Sequence, residues 1–286
     1  MKLCRFTLPG QSQPRVGLVD SAGALHDLSA GGIDSLSALL EFEGLLAELD
    51  RLASLNLPKH EIGAVRLLSP VERQEVWAAG VTYLRSKKAR MEESDFSATA
   101  YDRVYDAERP EIFFKSMPEK VVASGEAVGI RRDAKWNVPE PELILVLNSR
   151  GHCVGYAVGN DMSSRDIEGE NLLYLPQAKI YDRSCAIGPF IAVGVTEEAA
   201  RSWSIQVQIR RDGATVFEGQ TSVGQIKRSF PELSSFLFRS QRFPHGVCLL
   251  TGTGVVPADT FTLAVGDEVH IHISGIGSLV NSVIEV

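Results

Sequence analysis

Residues 136–189 read WNVPEPELILVLNSRGHCVGYAVGNDMSSRDIEGENLLYLPQAKIYDRSCAIGP, and this stretch decides the fold. Charged side chains stand here between short apolar runs. Because successive side chains of a strand point to opposite faces, a strand over 139–147 places Glu140 and Glu142 on one face. The alternating prolines exclude a helix interior, since they remove backbone donors and clash with the preceding turn. We therefore predict a strand with two carboxylates about 7 Å apart, which repel each other unless a cation or proton lies between them.

Length and composition are typical of a soluble globular protein. The 286 residues suffice for one large domain or two modest ones, and 44% hydrophobic content is ample for a buried core. No apolar run approaches the roughly 20 residues that span a bilayer, and the N-terminal residues contain no apolar signal segment. Four widely spaced cysteines suit a reduced, cytoplasmic protein. A net charge of −7 without a long basic run argues against nucleic acid and for a small-molecule partner.

The first 70 residues are predicted to form a small N-terminal α+β domain. Short strands are expected over 3–8, 15–19 and 25–28, with a hairpin turn between the last two. Leucines at spacings of three and four predict one amphipathic helix from Asp34 to Ala53. Because no chemically grouped polar residues occur in this part, we expect it to serve packing or oligomerisation. A catalytic domain is predicted over 71–286.

The larger part of the chain has a β-rich pattern. Its strand-like runs are joined by turns such as Asp212-Gly213, with one short helix over 230–237 that Ser229 caps. Because strands and helices do not alternate, Rossmann and TIM-barrel folds are excluded, and we predict a mostly β, α+β protein. The charged segment 82–110 is compatible with a solvated helix face and equally with a lid over a polar site.

Acidic residues of the central stretch suggest a metal site. A turn over 148–151 folds the next strand back, so that Asp161 can approach Glu140 and Glu142. Three carboxylates without grouped His or Cys suit Mg²⁺, with Mn²⁺ or Ca²⁺ as possible substitutes. Such an ion can polarise a bound 2-oxo acid and stabilise its enolate. Lys179, placed on the next strand-like run, would add positive charge.

Spaced motifs resemble the fumarylacetoacetate hydrolase superfamily over about residues 77–286. Together they are specific, whereas each alone is weak. In chain order they are E-x-E at 140–142, GYxxxND followed by SxRD over 155–166, a lysine at 179 before Gly188-Pro189, and LLTGTG at 249–254. The resemblance implies a mixed β-roll or sandwich catalytic domain. It also implies Mg²⁺ held by Glu140, Glu142 and Asp161 with Lys179 nearby, in a homo-oligomer, dimer or tetramer.

Two further runs, 81–93 and 167–181, resemble the branch that dehydrates 2-keto-3-deoxy sugar acids. Hydrolase members carry a lid histidine after a G-x-x-Y motif, whereas here Gly80 to Tyr83 is followed by Ser86. We therefore expect Mg²⁺-dependent dehydration of a 2-keto-3-deoxy pentonate to 2,5-dioxopentanoate. Lys179 or Glu111 would move protons.

Substrate contacts are expected from the lid segment and from residues around the acidic site. Several of these have structural alternatives: Arg165 can pair with a neighbouring acid, Thr253 can form a tight turn, and Glu111 can make a salt bridge. Other reactions stay open, namely C–C hydrolysis or decarboxylation of a 2-oxo acid, as does a catalytically silent ligand-binding protein. The predicted substrate-binding residues are Arg85, Ser86, Arg165, Gln177 and Thr253.

Overall fold

A computed structural model describes residues 1–83 and 103–286. Its strands, in chain order, are β1 (Lys2–Thr7), β2 (Arg15–Val19), β3 (Leu25–Asp27), β4 (Lys59–His60), β5 (Arg66–Leu68), β6 (Glu75–Gly80), β7 (Glu111–Ser116), β8 (Ala127–Ile130), β9 (Asn137–Val138), β10 (Pro141–Leu147), β11 (Cys153–Asp161), β12 (Ser163–Ser164), β13 (Cys185–Ala192), β14 (Ser204–Arg211), β15 (Ala214–Ser222), β16 (Val247–Leu250), β17 (Glu268–Ile273) and β18 (Gly277–Glu285). The short helices used below are α1 (Leu36–Leu40), α2 (Leu45–Ala53), α3 (Arg165–Glu170), α4 (Leu175–Lys179), α5 (Glu197–Arg201) and α6 (Phe230–Leu237).

The predicted mostly β, α+β fold is confirmed. Two large sheets carry it: an eleven-stranded sheet with the order β4-β3-β2-β1-β13-β11-β10-β16-β6-β7, in which β5 also pairs with β1, and a five-stranded sheet with the order β15-β14-β17-β18-β8. Strand β10 lies between β11 and β16 and is buried along its whole length. A strand covered on both faces reads as a continuous apolar run, which is what residues 143–147 show.

Two hydrophobic cores meet at β10. Leu143, Leu145 and Leu147 pack into a core shared with the five-stranded sheet. Ile144 and Val146 point the other way, into a core that includes leucines of α1 and α2. The period of two along β10 therefore fixes both cores and, at its N-terminal end, the face on which the glutamates lie.

The N-terminal strands extend the large sheet, because β1 pairs antiparallel with β13. The predicted strands and the turn between β2 and β3 are confirmed. The single helix predicted from Asp34 to Ala53 is wrong in its continuity. Helix α1 ends at Leu40, and Gly44, with φ 77°, stands before α2. A left-handed residue interrupts a helix whatever the leucine spacing favours. The boundary near residue 70 stays a prediction.

Local signals in the C-terminal half were reliable. Asp212 and Gly213 have φ values of 51° and 80°, as a two-residue hairpin turn between β14 and β15 requires. The hydroxyl of Ser229 caps α6 by accepting from the Glu232 N–H. Most of the charged segment, residues 84–102, lies outside the described residues, so its prediction as helix or lid stays open. In the described ranges, no helix is both long and apolar enough to span a membrane.

The central position of β10 leads to a stability prediction. Leu145→Ala is expected to lower the free energy of unfolding by about 2–5 kcal/mol, because Leu145 is fully buried and the cavity would be enclosed by β11 and β16. Leu173→Ala, at a side chain that is 84% exposed, should change it by less than about 0.5 kcal/mol. Urea unfolding followed by circular dichroism measures both, and equal effects would contradict the assigned core.

Candidate metal centre

Three carboxylates converge where β10 and β11 meet. Glu140 directly precedes β10, Glu142 is its second residue, and Asp161 ends β11. The hairpin register brings them together, since the Asp161 N–H donates to the Glu140 carbonyl at 3.0 Å. One oxygen from each carboxylate lies within 4.8 Å of the others, and all three side chains are buried. We call Glu140, Glu142 and Asp161 the acid cluster.

Turn chemistry explains why the hairpin closes in this register. The Asn148 side-chain oxygen accepts from the backbone N–H groups of Arg150 and His152, at 3.1 and 3.0 Å. Gly151 supplies the left-handed conformation at the end of the turn, with φ 79°.

Three buried cations surround the acid cluster: Lys115, Arg165 and Lys179. Lys179 Nζ donates to Glu140 Oε2 at 2.8 Å, to Asp161 Oδ2 at 3.2 Å and to Ser163 Oγ at 2.6 Å. Arg165 Nη2 donates to Glu140 Oε1 at 2.7 Å. Lys115 Nζ is paired with Asp161 Oδ1. Three positive charges thus face three carboxylates in a volume from which water is largely excluded.

Glu142 is the least compensated of the three acids. Burial raises its pKa well above the usual glutamate range, and the charges of Asp161 and Glu140 raise it further. Lys179 and the Gly252 N–H act in the opposite direction. The Gly252 N–H donates to Glu142 Oε2 at 2.7 Å, which fixes the orientation of the carboxylate.

The residues present fit a hard divalent cation. Every candidate ligand of the acid cluster is a carboxylate oxygen, the ligand type that Mg²⁺ prefers. A carboxylate can accept several partners, so the existing lysine and arginine contacts leave lone pairs for a metal. A cation here would also relieve the repulsion that raises the pKa of Glu142.

A small cavity opens onto the acid cluster. The end of β6 and the turn after it, from Ala79 to Val81, form one part of the cavity lining. Phe113 of β7 forms another part. Arg165, Gly252 and Thr253 complete the lining. Val81 has φ 54°, which a β-branched residue adopts only under strain and which often marks a functional site.

Two predicted residues lie in this cavity with identifiable contacts. Arg165 begins α3 and contacts the acid cluster directly, through Glu140. Thr253 is buried, and its hydroxyl donates to the Val255 carbonyl at 3.0 Å within the turn after β16. The structure therefore brings both to the site, and substrate binding by them stays a prediction.

The position of Lys179 corrects one expectation. It was predicted on a strand-like run, yet it is the last residue of α4, which Leu175 and Pro176 begin. Proline is favoured in the first turn of a helix, and this placement of Pro176 is what distinguishes the segment from a strand. The ammonium still reaches the acid cluster, as expected.

The remaining predicted residues lie at the edge of the site or away from it. Glu111 begins β7 opposite Gly80, and its carboxylate lies against the Gly80 α-carbon, where a side chain would collide with it. Gln177 has an exposed side chain and is not part of the cavity lining. Arg85 and Ser86 lie outside the described residues.

Three residues of the site were not predicted: Lys115, Ser163 and Gly252. The alternation of β7 placed Lys115 on the same side as Glu111 and Phe113, but gave no sign that this side faces Asp161. Ser163 and Gly252 stand inside the SxRD and LLTGTG motifs, but the motifs did not show what they contact, because their contacts depend on the docking of distant segments.

Comparison with known proteins places these features in context. Residues 75–284 match the family model described as fumarylacetoacetate (FAA) hydrolase C-terminal. A Haloferax volcanii protein named "Probable 2-keto-3-deoxyxylonate dehydratase" is 50% identical over 217 residues, covering 76% of this chain and 74% of its own. A Saccharolobus solfataricus protein named 2-dehydro-3-deoxy-D-arabinonate dehydratase is 38% identical over 258 residues, 87% of each chain.

A solved structure extends the similarity to the whole fold. It is described as 2-keto-3-deoxy-D-arabinonate dehydratase complexed with magnesium and 2,5-dioxopentanoate. The two chains superpose with a TM-score of 0.84 at 32% identity, covering 100% of this chain and 99% of the other.

The contact between Gly252 and Glu142 can be tested. Gly252→Ala is expected to weaken Mn²⁺ binding, because a Cβ there would collide with Thr82 Oγ1 and lie 3.1 Å from the Ala79 carbonyl, displacing the N–H from Glu142. The matched control is Gly213→Ala, whose φ of 80° is also left-handed but whose Cβ would meet nothing within 4 Å.

Both variants carry the backbone cost of about 1–2 kcal/mol for an alanine in the left-handed conformation. We therefore expect a lower thermal unfolding temperature in both. Only Gly252→Ala should lose Mn²⁺ affinity in calorimetric titration. Wild-type affinity in a folded Gly252→Ala protein would refute the proposed support of Glu142.

Proposed function

The chain belongs to the fumarylacetoacetate hydrolase family, and we propose that it is a magnesium-dependent hydro-lyase that converts a 2-keto-3-deoxy pentonate to 2,5-dioxopentanoate. The observation that carries this proposal is the buried acid cluster, which lines a small cavity. Similarity to the two named dehydratases, and to the structure with magnesium and 2,5-dioxopentanoate, supports the choice of reaction.

Glu140, Glu142 and Asp161 would hold the ion. When bound, Mg²⁺ supplies a Lewis acid for the 1-carboxylate and the 2-oxo group of the substrate, making the C3 protons more acidic. Val81 and Phe113 add apolar surface to the cavity lining, and electrostatic interactions beside such low-dielectric surface are stronger than in open water.

The reaction requires proton transfers at C3, C5 and C4 besides the loss of hydroxide. A base takes a proton from C3, the electron pair forms the C3–C4 double bond, and the C4 hydroxyl leaves with a proton as water. A proton then moves from C5 to C3, and the resulting C4–C5 enol becomes the aldehyde when its hydroxyl proton is lost and C4 takes up a proton. The product differs from the substrate by one water and needs no oxidant.

Two side chains are placed to move these protons. Lys179 contacts the acid cluster, where Ser163 and two carboxylates hold its ammonium. Because these contacts use its three donors, protonation of the leaving hydroxyl by Lys179 requires that one of them be exchanged for the substrate. Glu111, next to the cavity wall at Gly80, is the candidate base for C3. Arg165, which lines the same cavity, offers positive charge to the substrate carboxylate. These roles are proposals that rest on position and charge.

Dehydration is preferred to C–C hydrolysis because Ser86 stands where hydrolase members of the family have their lid histidine. Residues 61–151 contain no histidine at all, so a base of that kind is absent from the sequence of the lid segment. Hydrolysis would require such a base to activate water.

We also propose that the protein is a cytoplasmic homo-oligomer. The compartment is supported by the four cysteines, which are all free thiols, with three of them buried. Burial raises the pKa of the Cys4 thiol to about 12, as expected for inert, reduced core cysteines. Size-exclusion chromatography with light scattering would establish the oligomeric state.

An assay with synthetic 2-oxo acids tests the reaction. Incubation of 2-keto-3-deoxy-D-arabinonate or its xylonate epimer with enzyme and Mg²⁺ should give a product lighter by one water, detected by mass spectrometry. Glu140→Gln should lower the rate by two orders of magnitude or more, equivalent to about 3 kcal/mol of transition-state stabilisation. The control Glu285→Gln, at an exposed glutamate of β18, should retain the wild-type rate.

The outcomes separate the alternatives. Cleavage products from acylpyruvates or carbon dioxide from oxaloacetate, with no water loss from the sugar acids, would indicate a hydrolase or a decarboxylase. If none of the 2-oxo acids changed in mass, the result would indicate a catalytically silent ligand-binding protein.

A further inference from the structure

We propose that Lys115 is a positioning residue of the metal centre, which joins the third metal ligand to the helix that carries Lys179. The inference deepens the proposed function and rests on its metal site. It assigns Lys115 no contact with substrate, since Lys115 is not part of the cavity lining.

Lys115 contacts Asp161 of the acid cluster and is completely buried. Its ammonium donates to the Met162 carbonyl at 3.0 Å and to the Lys179 carbonyl, and it forms an ion pair with Asp161 Oδ1. An ammonium has three donors, a number that matches these three partners. The side chain of an edge-strand residue in β7 thereby bridges the end of β11 and the end of α4.

The geometry divides the two oxygens of Asp161 between two lysines. Lys115 pairs with Oδ1, whereas Lys179 reaches Oδ2 at 3.2 Å. A carboxylate held at both oxygens cannot rotate about its last bond without losing an ion pair. The plane of Asp161, and hence the direction of its remaining lone pairs, is therefore set in part by Lys115.

The contact with the Lys179 carbonyl has a second effect. This carbonyl belongs to the last residue of α4, whose carbonyls lack intrahelical partners. Lys115 supplies that partner and adds positive charge at the negative end of the helix. One ammonium consequently fixes both the backbone from which Lys179 reaches the acid cluster and the carboxylate that Lys179 contacts.

Charge balance also favours this role over a purely structural one. Capping two carbonyls needs only neutral donors, and burying an ammonium for that purpose alone would leave its desolvation cost uncompensated. The pairing with Asp161 offsets that cost. Lys115 is therefore matched to the charge of the site, and not only to the backbone around it.

The test measures metal affinity without substrate. Lys115→Met keeps the length of the side chain but removes the donors and the charge. We expect its dissociation constant for Mn²⁺, measured by calorimetry and by electron paramagnetic resonance, to rise about 10- to 100-fold, the usual effect of removing a partner of a metal ligand. Lys120→Met, at an exposed lysine just after β7, should bind Mn²⁺ like the wild type.

A double-mutant cycle separates positioning from loss of stability. Asp161→Asn weakens Mn²⁺ binding by itself, and adding Lys115→Met should then cost less than about 3-fold more, because the oriented carboxylate is already gone. If Lys115 only capped carbonyls, Lys115→Met would lower thermal stability in EDTA yet leave the Mn²⁺ affinity of the folded protein within about 2-fold of wild type.

Unchanged affinity would overturn the proposal, and so would tighter binding, since that would mean that the ammonium merely repels the metal. If Lys115→Met does not fold, Lys115→Gln carries the same test, because its amide can still donate to one carbonyl while lacking the charge. Failure of the proposed reaction would appear separately, as absence of water loss in the wild-type enzyme with Mn²⁺ binding intact.

Discussion

The buried contact between three carboxylates and three cations is the constraint on which the rest of the structure depends. Each charge taken out of water carries a desolvation cost of several kcal/mol, and mutual attraction offsets that cost only in good geometry. Glu140 meets this requirement through Arg165 and Lys179 at 2.7 and 2.8 Å. Glu142 does not meet it fully, because a backbone N–H is its close partner and its pKa is raised. The imbalance is what makes the cluster receptive to a divalent ion.

The six charged side chains come from separate segments of the chain, and neighbouring segments fix their positions. The β10–β11 hairpin brings the carboxylates together by register alone. The turn after β16 adds Gly252, and this turn is anchored by the Thr82 hydroxyl, which donates to the Thr251 carbonyl. The segment from α3 to α4 returns along the same edge with Arg165 and Lys179. Because β10 lies between two hydrophobic cores, small displacements of these segments would disturb core packing as well as the ion pairs of the site.

Sequence reasoning was strongest where a short-range pattern decides the structure. The period of two placed Glu140 and Glu142 together, and the hairpin turn brought Asp161 to them, so the acid cluster was predictable from residues alone. The Ser229 cap and the Asp212-Gly213 turn are equally local. Helix α2 was located correctly, but leucine spacing cannot show that Gly44 adopts a left-handed conformation. Lys179 was placed at the right site on the wrong element, since a short apolar run is ambiguous between strand and helix.

Prediction failed where a contact depends on which segments dock in three dimensions. Nothing near Lys115 in the chain indicates that β7 contacts the ends of β11 and α4, which lie 46 and 64 residues further on. Gln177 lies inside the run 167–181 and was therefore expected near the site. A position inside such a run does not fix the direction of the side chain, and Gln177 is exposed.

Anomalous diffraction from crystals grown with Mn²⁺ and a 2-oxo acid tests the central claim most directly. The account predicts one strong anomalous peak among Glu140, Glu142 and Asp161, with a carboxylate oxygen of each at about 2.1–2.2 Å. It also predicts that the carboxylate and oxo group of the ligand complete the coordination. A peak elsewhere, or a well-ordered 2-oxo acid in the cavity with no metal at the acid cluster, would contradict it.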